Sequence, residues 1–148
     1  MNAIASPLTF PDKLLIGGEL VTGDGIAEPI LNPATGEAVC SVKEASIEQI
    51  EAAVHSASAA FPAWSRTTPA QRSALLLEIA TSIDQQADYL AGLEAVNCGK
   101  PAHLARQDDL AGTADVFRFF AGAVRCQQGQ RAGEYLPGFT SMVRRDPI

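Results

Sequence analysis

The character of this chain changes at Ser46. Before it, from Leu14 to Val42, turn formers interrupt the sequence every few residues: Gly17-Gly18, Gly23-Asp24-Gly25 and Asn32-Pro33-Ala34-Thr35-Gly36. The stretches between are apolar and short, and they read as strands. Leu14-Leu15-Ile16 and Glu19-Leu20-Val21 flank the Gly-Gly pair, which predicts a hairpin, because glycine accepts the positive φ of primed turns. Pro29-Ile30-Leu31 and Ala38-Val39-Cys40-Ser41-Val42 form the next two strands, joined by the Asn-Pro turn.

After Ser46 the spacing becomes helical. Ile47, Ile50, Val54, Ala57 and Phe61 recur at alternating steps of three and four, which places them on one helix face. Ser46 and Gln49 form a capping box, and Pro62 ends or kinks the helix. A second start comes next, with Thr68 as cap, Pro69 at the first helical position and Gln71 closing the box. Its apolar stripe is Leu76, Ile79, Ile83 and Leu90; Asp84-Gln85-Gln86 marks a break, and Gly99 with Pro101 stops it. A further helix is predicted from about Ala102 to Gln128, its apolar load on Leu110, Val116, Phe117, Phe120 and Val124. Gly129, Gly133, Pro137 and Gly138 punctuate the stretch after Gln128, and Thr140-Ser141-Met142-Val143, continued through Arg144 and Arg145, reads as a single last strand without a partner.

Composition narrows the function classes. The chain is 47% apolar and 19% charged, which suits a folded globular protein. Its net charge is -6 and it has no basic stripe, so nucleic acid is not an expected partner. No apolar run approaches the roughly 20 residues that span a bilayer. The segment Met1-Asn2-Ala3-Ile4-Ala5-Ser6-Pro7 lacks the basic and apolar regions of a signal peptide, so a cytoplasmic protein away from membranes is expected. Cys40, Cys98 and Cys126 are widely spaced and the two histidines, His55 and His103, are isolated, which argues against a disulfide framework and a Cys/His metal site. Each cysteine reads as small apolar filler, Cys98 at a helix end, Cys40 in a strand and Cys126 late in a helix. Lys100 reads as a helix C-terminal cation, and Trp64 as a packing residue.

Several motifs in one order carry a resemblance. Leu15-Ile16-Gly17-Gly18-Glu19, Asn32-Pro33-Ala34-Thr35-Gly36-Glu37, Ala60-Phe61-Pro62-Ala63-Trp64, Asn97-Cys98-Gly99-Lys100-Pro101, Phe119-Phe120-Ala121-Gly122 and Arg144-Arg145-Asp146-Pro147-Ile148 resemble the N-terminal part of the aldehyde dehydrogenase superfamily. Within it, Asn97 to Pro101, Asp115 to Gly122 and Gly133 to Met142 look most like bacterial gamma-aminobutyraldehyde dehydrogenases, of the betaine-aldehyde and aminoaldehyde branch. The resemblance implies an α/β fold: short β-strands, then a helical layer, then the first strand of an oligomerisation arm. It divides the chain into a loose arm over residues 1–13, strands and helices that pack on an NAD-binding domain over 14–128, and the start of the β-arm over 129–148.

The implied parent is an NAD-dependent enzyme that oxidises a small aldehyde, gamma-aminobutyraldehyde or a similar aminoaldehyde, in putrescine breakdown, as a homodimer or homotetramer. The family's chemistry uses a cysteine thiolate that attacks the aldehyde, a hydride transfer from the thiohemiacetal to NAD, a glutamate base and an asparagine that holds the oxyanion. None of the three cysteines here matches that catalytic position and no G-x-G-x-x-G occurs, so the resemblance places these groups and the NAD site beyond Ile148 and implies that this segment alone is inactive.

Two kinds of site remain within the chain by the same resemblance. Asp108 and Asp109, with Asp109 at the matching position, stand at the mouth of a substrate tunnel, where a carboxylate would attract the substrate's ammonium group. The plainer reading is an acidic, solvated early helical turn. A structural monovalent cation would take carbonyls from Ile30 and Leu31 and a side chain at Asn97; an amide there lacks the carboxylate charge, and the plainer reading makes Asn97 a helix cap. A naturally short binding or assembly module, and a truncated reading frame without function, are the alternatives for the chain as a whole.

Overall fold

The computed structural model describes residues 8–127 and 130–143; the side chains of 130–136 and 141–143 are not described. The first two strands, β1 (Leu14–Ile16) and β2 (Glu19–Val21), pair antiparallel with Leu15 opposite Leu20. The connecting Gly17 and Gly18 have φ of 64° and 87°, the primed turn that the Gly-Gly pair predicts. The next hairpin joins β3 (Ala27–Leu31) to β4 (Ala38–Lys43), with Ile30 opposite Cys40 and a bulge between Ile30 and Leu31. Asn32 tightens the connection: its side chain accepts from the Ala34 N–H at 2.9 Å, and its carbonyl accepts from the Gly36 N–H at 2.8 Å.

Both predicted capping boxes form. Ser46 and Gln49 open α1 (Ile47–Trp64), and Thr68 and Gln71 open α2 (Pro69–Gln85). Pro62 does not end α1, which runs two residues past it, although proline lacks the N–H that would bond the Ser58 carbonyl. The break at Gln86 is present and separates α2 from α3 (Ala87–Cys98).

The predicted Ala102–Gln128 helix is corrected in two ways. A short α4 (Ala102–Leu104) leads into a π-helical segment, Ala105–Leu110, before α5 (Ala111–Ala123). The chain leaves the helix at Val124, so Cys126 lies beyond its end. The inserted π geometry shifts the helical phase, and a uniform 3.6-residue period cannot show that.

The single unpartnered last strand is also corrected. Gln130–Leu136 forms β5 and pairs antiparallel with β6 (Phe139–Val143) across Pro137-Gly138. Gly133 and Gly129 read as punctuation, yet the ladder absorbs Gly133 through register shifts between Ala132 and Glu134 and between Glu134 and Leu136. The expected continuation through Arg144 and Arg145, the motif Arg144 to Ile148 and residues 1–7 lie outside the described residues.

Packing is densest where α2 lies along α5 and where α3 meets the π segment. The residues buried there are small: Ala80 and Ser73 on α2, Ala114 and Ala121 on α5, Ala91 and Gly92 on α3, and Ala105 in the π segment. Small side chains let helix backbones approach closely. Arg118 pairs with Asp84 across α5 and α2, and Arg106 with Asp88 at 2.5 Å across the π segment and α3.

The larger apolar residues behave differently. Ile47, Ile50 and Val54 on the α1 stripe are 71%, 55% and 64% exposed. Phe119 and Phe120, packed edge to face at 5.3 Å, are also open to solvent, as is Val116. Trp64 is half-exposed, so it is only partly packed within the described residues. No large side chain among the described residues is fully buried. The periodicity therefore locates α1 and α2, while the apolar residues of α1 and α5 named above have little cover from the described part of this chain.

Candidate functional site

The segment between Tyr89 and Thr113 builds one wall of a cleft of about 520 Å³. Ile30, Cys40 and Val42 from the second hairpin form the opposite wall. Phe10 and Pro11 close one side, and the residues beside them are held in place because the Tyr89 hydroxyl donates to the Thr9 carbonyl at 2.6 Å.

Four polar side chains line this largely apolar space from the helices. Glu94 and Asn97 lie one turn apart on α3, and Asp109 comes from the π segment. Thr113 stands one turn beyond Asp109 and donates its hydroxyl to the Asp109 carbonyl at 2.7 Å. A π turn carries an extra residue per turn, which re-aims the side chains in it; such segments recur at functional sites.

The predicted site residues separate accordingly. Asp109, Asn97 and Ile30 line the same cleft. Asp108 is exposed beside it and Leu31 is half-exposed outside it, and neither is part of the lining. Asn97 does not cap α3: it sits inside the helix, its amide 3.6 Å from the Cys98 sulfur, and Gly99 is the cap in the left-handed conformation. Glu94 is a lining residue that the sequence reading does not single out. Its three-residue spacing from Asn97 on a helix is the available signal.

Lys100, directly after the Gly99 cap of α3, has a partner that its position does not announce: its Nζ lies 2.5 Å from Asp109 Oδ2, with the two side chains 36% and 44% exposed. This hydrogen bond to Asp109 holds the Lys100 ammonium above the usual lysine range, with smaller Coulombic pulls from Asp109, Asp108 and Glu94.

Two of the three cysteines depart from the apolar-filler reading. Cys98 and Cys126 are exposed and Cys40 is half-buried, and all three are free thiols. Among the described residues no group of three or more His, Cys, Asp or Glu side chains is placed to hold a metal ion. Among the same residues no helix is long and apolar enough to cross a membrane.

Known proteins resemble this chain in sequence and fold. The aldehyde dehydrogenase family model matches residues 21–148. An aldehyde dehydrogenase of Alternaria alternata is 32% identical over 140 residues, which cover 93% of this chain and 28% of that protein. The structure of an aldehyde dehydrogenase from Bacillus cereus in complex with NAD+ superimposes with a TM-score of 0.88 at 33% identity, over 95% of this chain and 29% of that one. A betaine aldehyde dehydrogenase from Staphylococcus aureus superimposes with a TM-score of 0.83 at 28% identity, over 89% of this chain and 27% of that one. The chain thus spans under a third of the length of these relatives, and its strands and helices match the N-terminal part of their fold. With the family model matching residues 21–148, from the end of the first hairpin onward, this chain belongs to the aldehyde dehydrogenase family.

Proposed function

We propose that this chain forms the N-terminal outer layer of an NAD-dependent enzyme that oxidises an ω-amino aldehyde, such as gamma-aminobutyraldehyde, to its acid. The observation that carries the substrate class is the cleft. It sets two carboxylates, Glu94 and Asp109, against apolar walls, and one of them already holds a primary ammonium group. An apolar channel with a carboxylate at its rim concentrates a cationic chain of methylenes. The likeness to a betaine aldehyde dehydrogenase supports the same class, since betaine aldehyde carries a fixed positive charge.

The likeness to a structure in complex with NAD+ supports NAD as the oxidant. This chain's sequence carries no glycine-rich G-x-G-x-x-G turn. Its contribution is to position the substrate's charged end and to carry the β5–β6 arm toward a homo-oligomer, in a cytoplasmic setting. The uncovered faces of α1 and α5 are the surfaces that would meet the rest of the enzyme. For the monovalent cation, Ile30 and Asn97 share the cleft while Leu31 lies outside it and Asn97 is neutral, so the donor set fits poorly and carries no step.

Steady-state kinetics of the full-length protein test the reading. An ω-amino aldehyde should be preferred over a neutral aldehyde of equal length. Asp109→Asn should lower kcat/KM for the amino aldehyde about tenfold relative to the neutral one. Equal use of both aldehydes by the unmodified protein would overturn the substrate class, and a protein inert toward aldehydes would overturn the activity.

A further inference from the structure

The ion pair at the cleft's rim bears on recognition. Asp109 lines the cleft, whereas Lys100 approaches it from the turn after α3 and is not part of the lining. Lys100 therefore comes from outside the lining and sets its own ε-ammonium on the carboxylate that an entering alkylammonium group would use. The chemistry is the same on both: a primary ammonium on an unbranched methylene chain. We propose that Lys100 is a specificity-determining residue, a tethered competitor that occupies Asp109 in the free protein and is displaced by the ammonium end of the substrate. This inference rests on the aminoaldehyde reading above.

The energetics permit such an exchange. Both partners are partly open to water, and exposed pairs of this kind are weak because solvent screens them and two long side chains must be ordered. Nor does one ammonium satisfy its surroundings, since Asp108 and Glu94 act on Lys100 together with Asp109. A second cation entering the cleft still meets uncompensated carboxylate charge, with Glu94 in the lining beside Asp109. Lys100 is then free to swing toward Asp108 as the ligand takes its place. A neutral aldehyde gains nothing from that exchange. The pair thus costs amino aldehydes some affinity and neutral aldehydes none, and it sets how strongly the cleft separates them.

The test uses the full-length protein and the ratio of kcat/KM for an ω-amino aldehyde to that for a neutral aldehyde of equal length. Lys100→Met should raise the ratio about two- to fivefold, the range expected for removing an exposed ion pair, with the change in the KM of the amino aldehyde. Lys100→Gln, a more soluble replacement, should do the same. Asp109→Asn should lower the ratio, and in that background Lys100→Met should have no further effect. If Asp109→Asn lowers the ratio but both Lys100 variants leave it unchanged or lower it, the competitor role is overturned while the aminoaldehyde reading stands. If Asp109→Asn leaves the ratio unchanged, the reading itself fails and the inference falls with it.

Discussion

Pro33 lies over Gly99. A β-carbon added to Gly99 would stand 3.1 Å from Pro33 Cγ, and Gly99 itself has φ of 74°. Two motifs that are far apart in the chain, the Asn-Pro turn and the Gly-Lys-Pro segment, meet here back to back. Gly99 is the cap that ends α3, and Lys100 begins its reach to Asp109 from the next position.

Gly99→Ala should therefore destabilise the protein by about 1–2 kcal/mol, from the left-handed backbone and the crowding against Pro33 together. The shift of the urea midpoint measures it. Gly99→Asn should cost less, since asparagine tolerates this conformation; an equal cost would assign the whole effect to the Pro33 contact.

Gln49 does more than close a capping box. Its Oε1 accepts from the N–H groups of Ser46 at 3.0 Å and Asp24 at 2.9 Å, and its Nε2 donates to the Thr22 carbonyl at 2.9 Å. One side chain thereby joins the start of α1 to the loop after β2. Gln49→Ala should cost about 1–2 kcal/mol, with faster hydrogen exchange at the Asp24 and Ser46 amides. Unchanged protection at Asp24 would show that the loop is held by other contacts.

The alanine seam and the α1 stripe should respond in opposite ways. Ala80→Leu or Ala114→Leu, each at a fully buried position, should cost about 1–3 kcal/mol by forcing α2 and α5 apart. Val54→Ser, at a position 64% exposed, should change the stability of the 148-residue chain by less than about 0.5 kcal/mol. In the full-length protein the same substitution should cost more, about 1–2 kcal/mol, if the stripe is covered there. Equal effects in both would separate the stripe from any such packing.

Two side chains should titrate away from their ordinary ranges. The Glu48 carboxyl is held low by its own backbone N–H and, secondarily, by the Ser46 hydroxyl. A depressed carboxyl contributes stability above its unfolded pKa, and the contribution is lost as pH falls through the folded value. Lys100 is held high, chiefly by its hydrogen bond to Asp109, so its contribution is complete below the usual lysine value and is lost as pH rises through the raised one. Side-chain NMR titration should show Ser46→Ala returning Glu48 part of the way, and Asp109→Asn returning Lys100 most of the way. A Lys100 titration unmoved by Asp109→Asn would contradict the ion pair.

Local chemistry makes much of this fold readable from the residues alone. The Gly-Gly hairpin, the Asn-Pro turn, both capping boxes, the break near Gln86 and the stop at Gly99 each depend on residues within a few positions of one another. The helix from Ala102 to Gln128 departs from its reading because a π segment and an early exit leave the apolar spacing almost unchanged. Strand β5 escapes the same reading because Gly133 looks like a breaker until its partner strand is known to absorb it.

What the sequence by itself determined is therefore the set of elements and their ends, since caps, turns and periodicity act over one or two helical turns. Only the tertiary structure decided that Asp109, Asn97, Glu94 and Ile30 share a cleft, that Asp108 and Leu31 do not, and that Lys100 answers Asp109. Those outcomes depend on how the π segment rotates one residue against α3 and on how α3 ends beneath Pro33, and such angles arise from packing between elements rather than from any one of them.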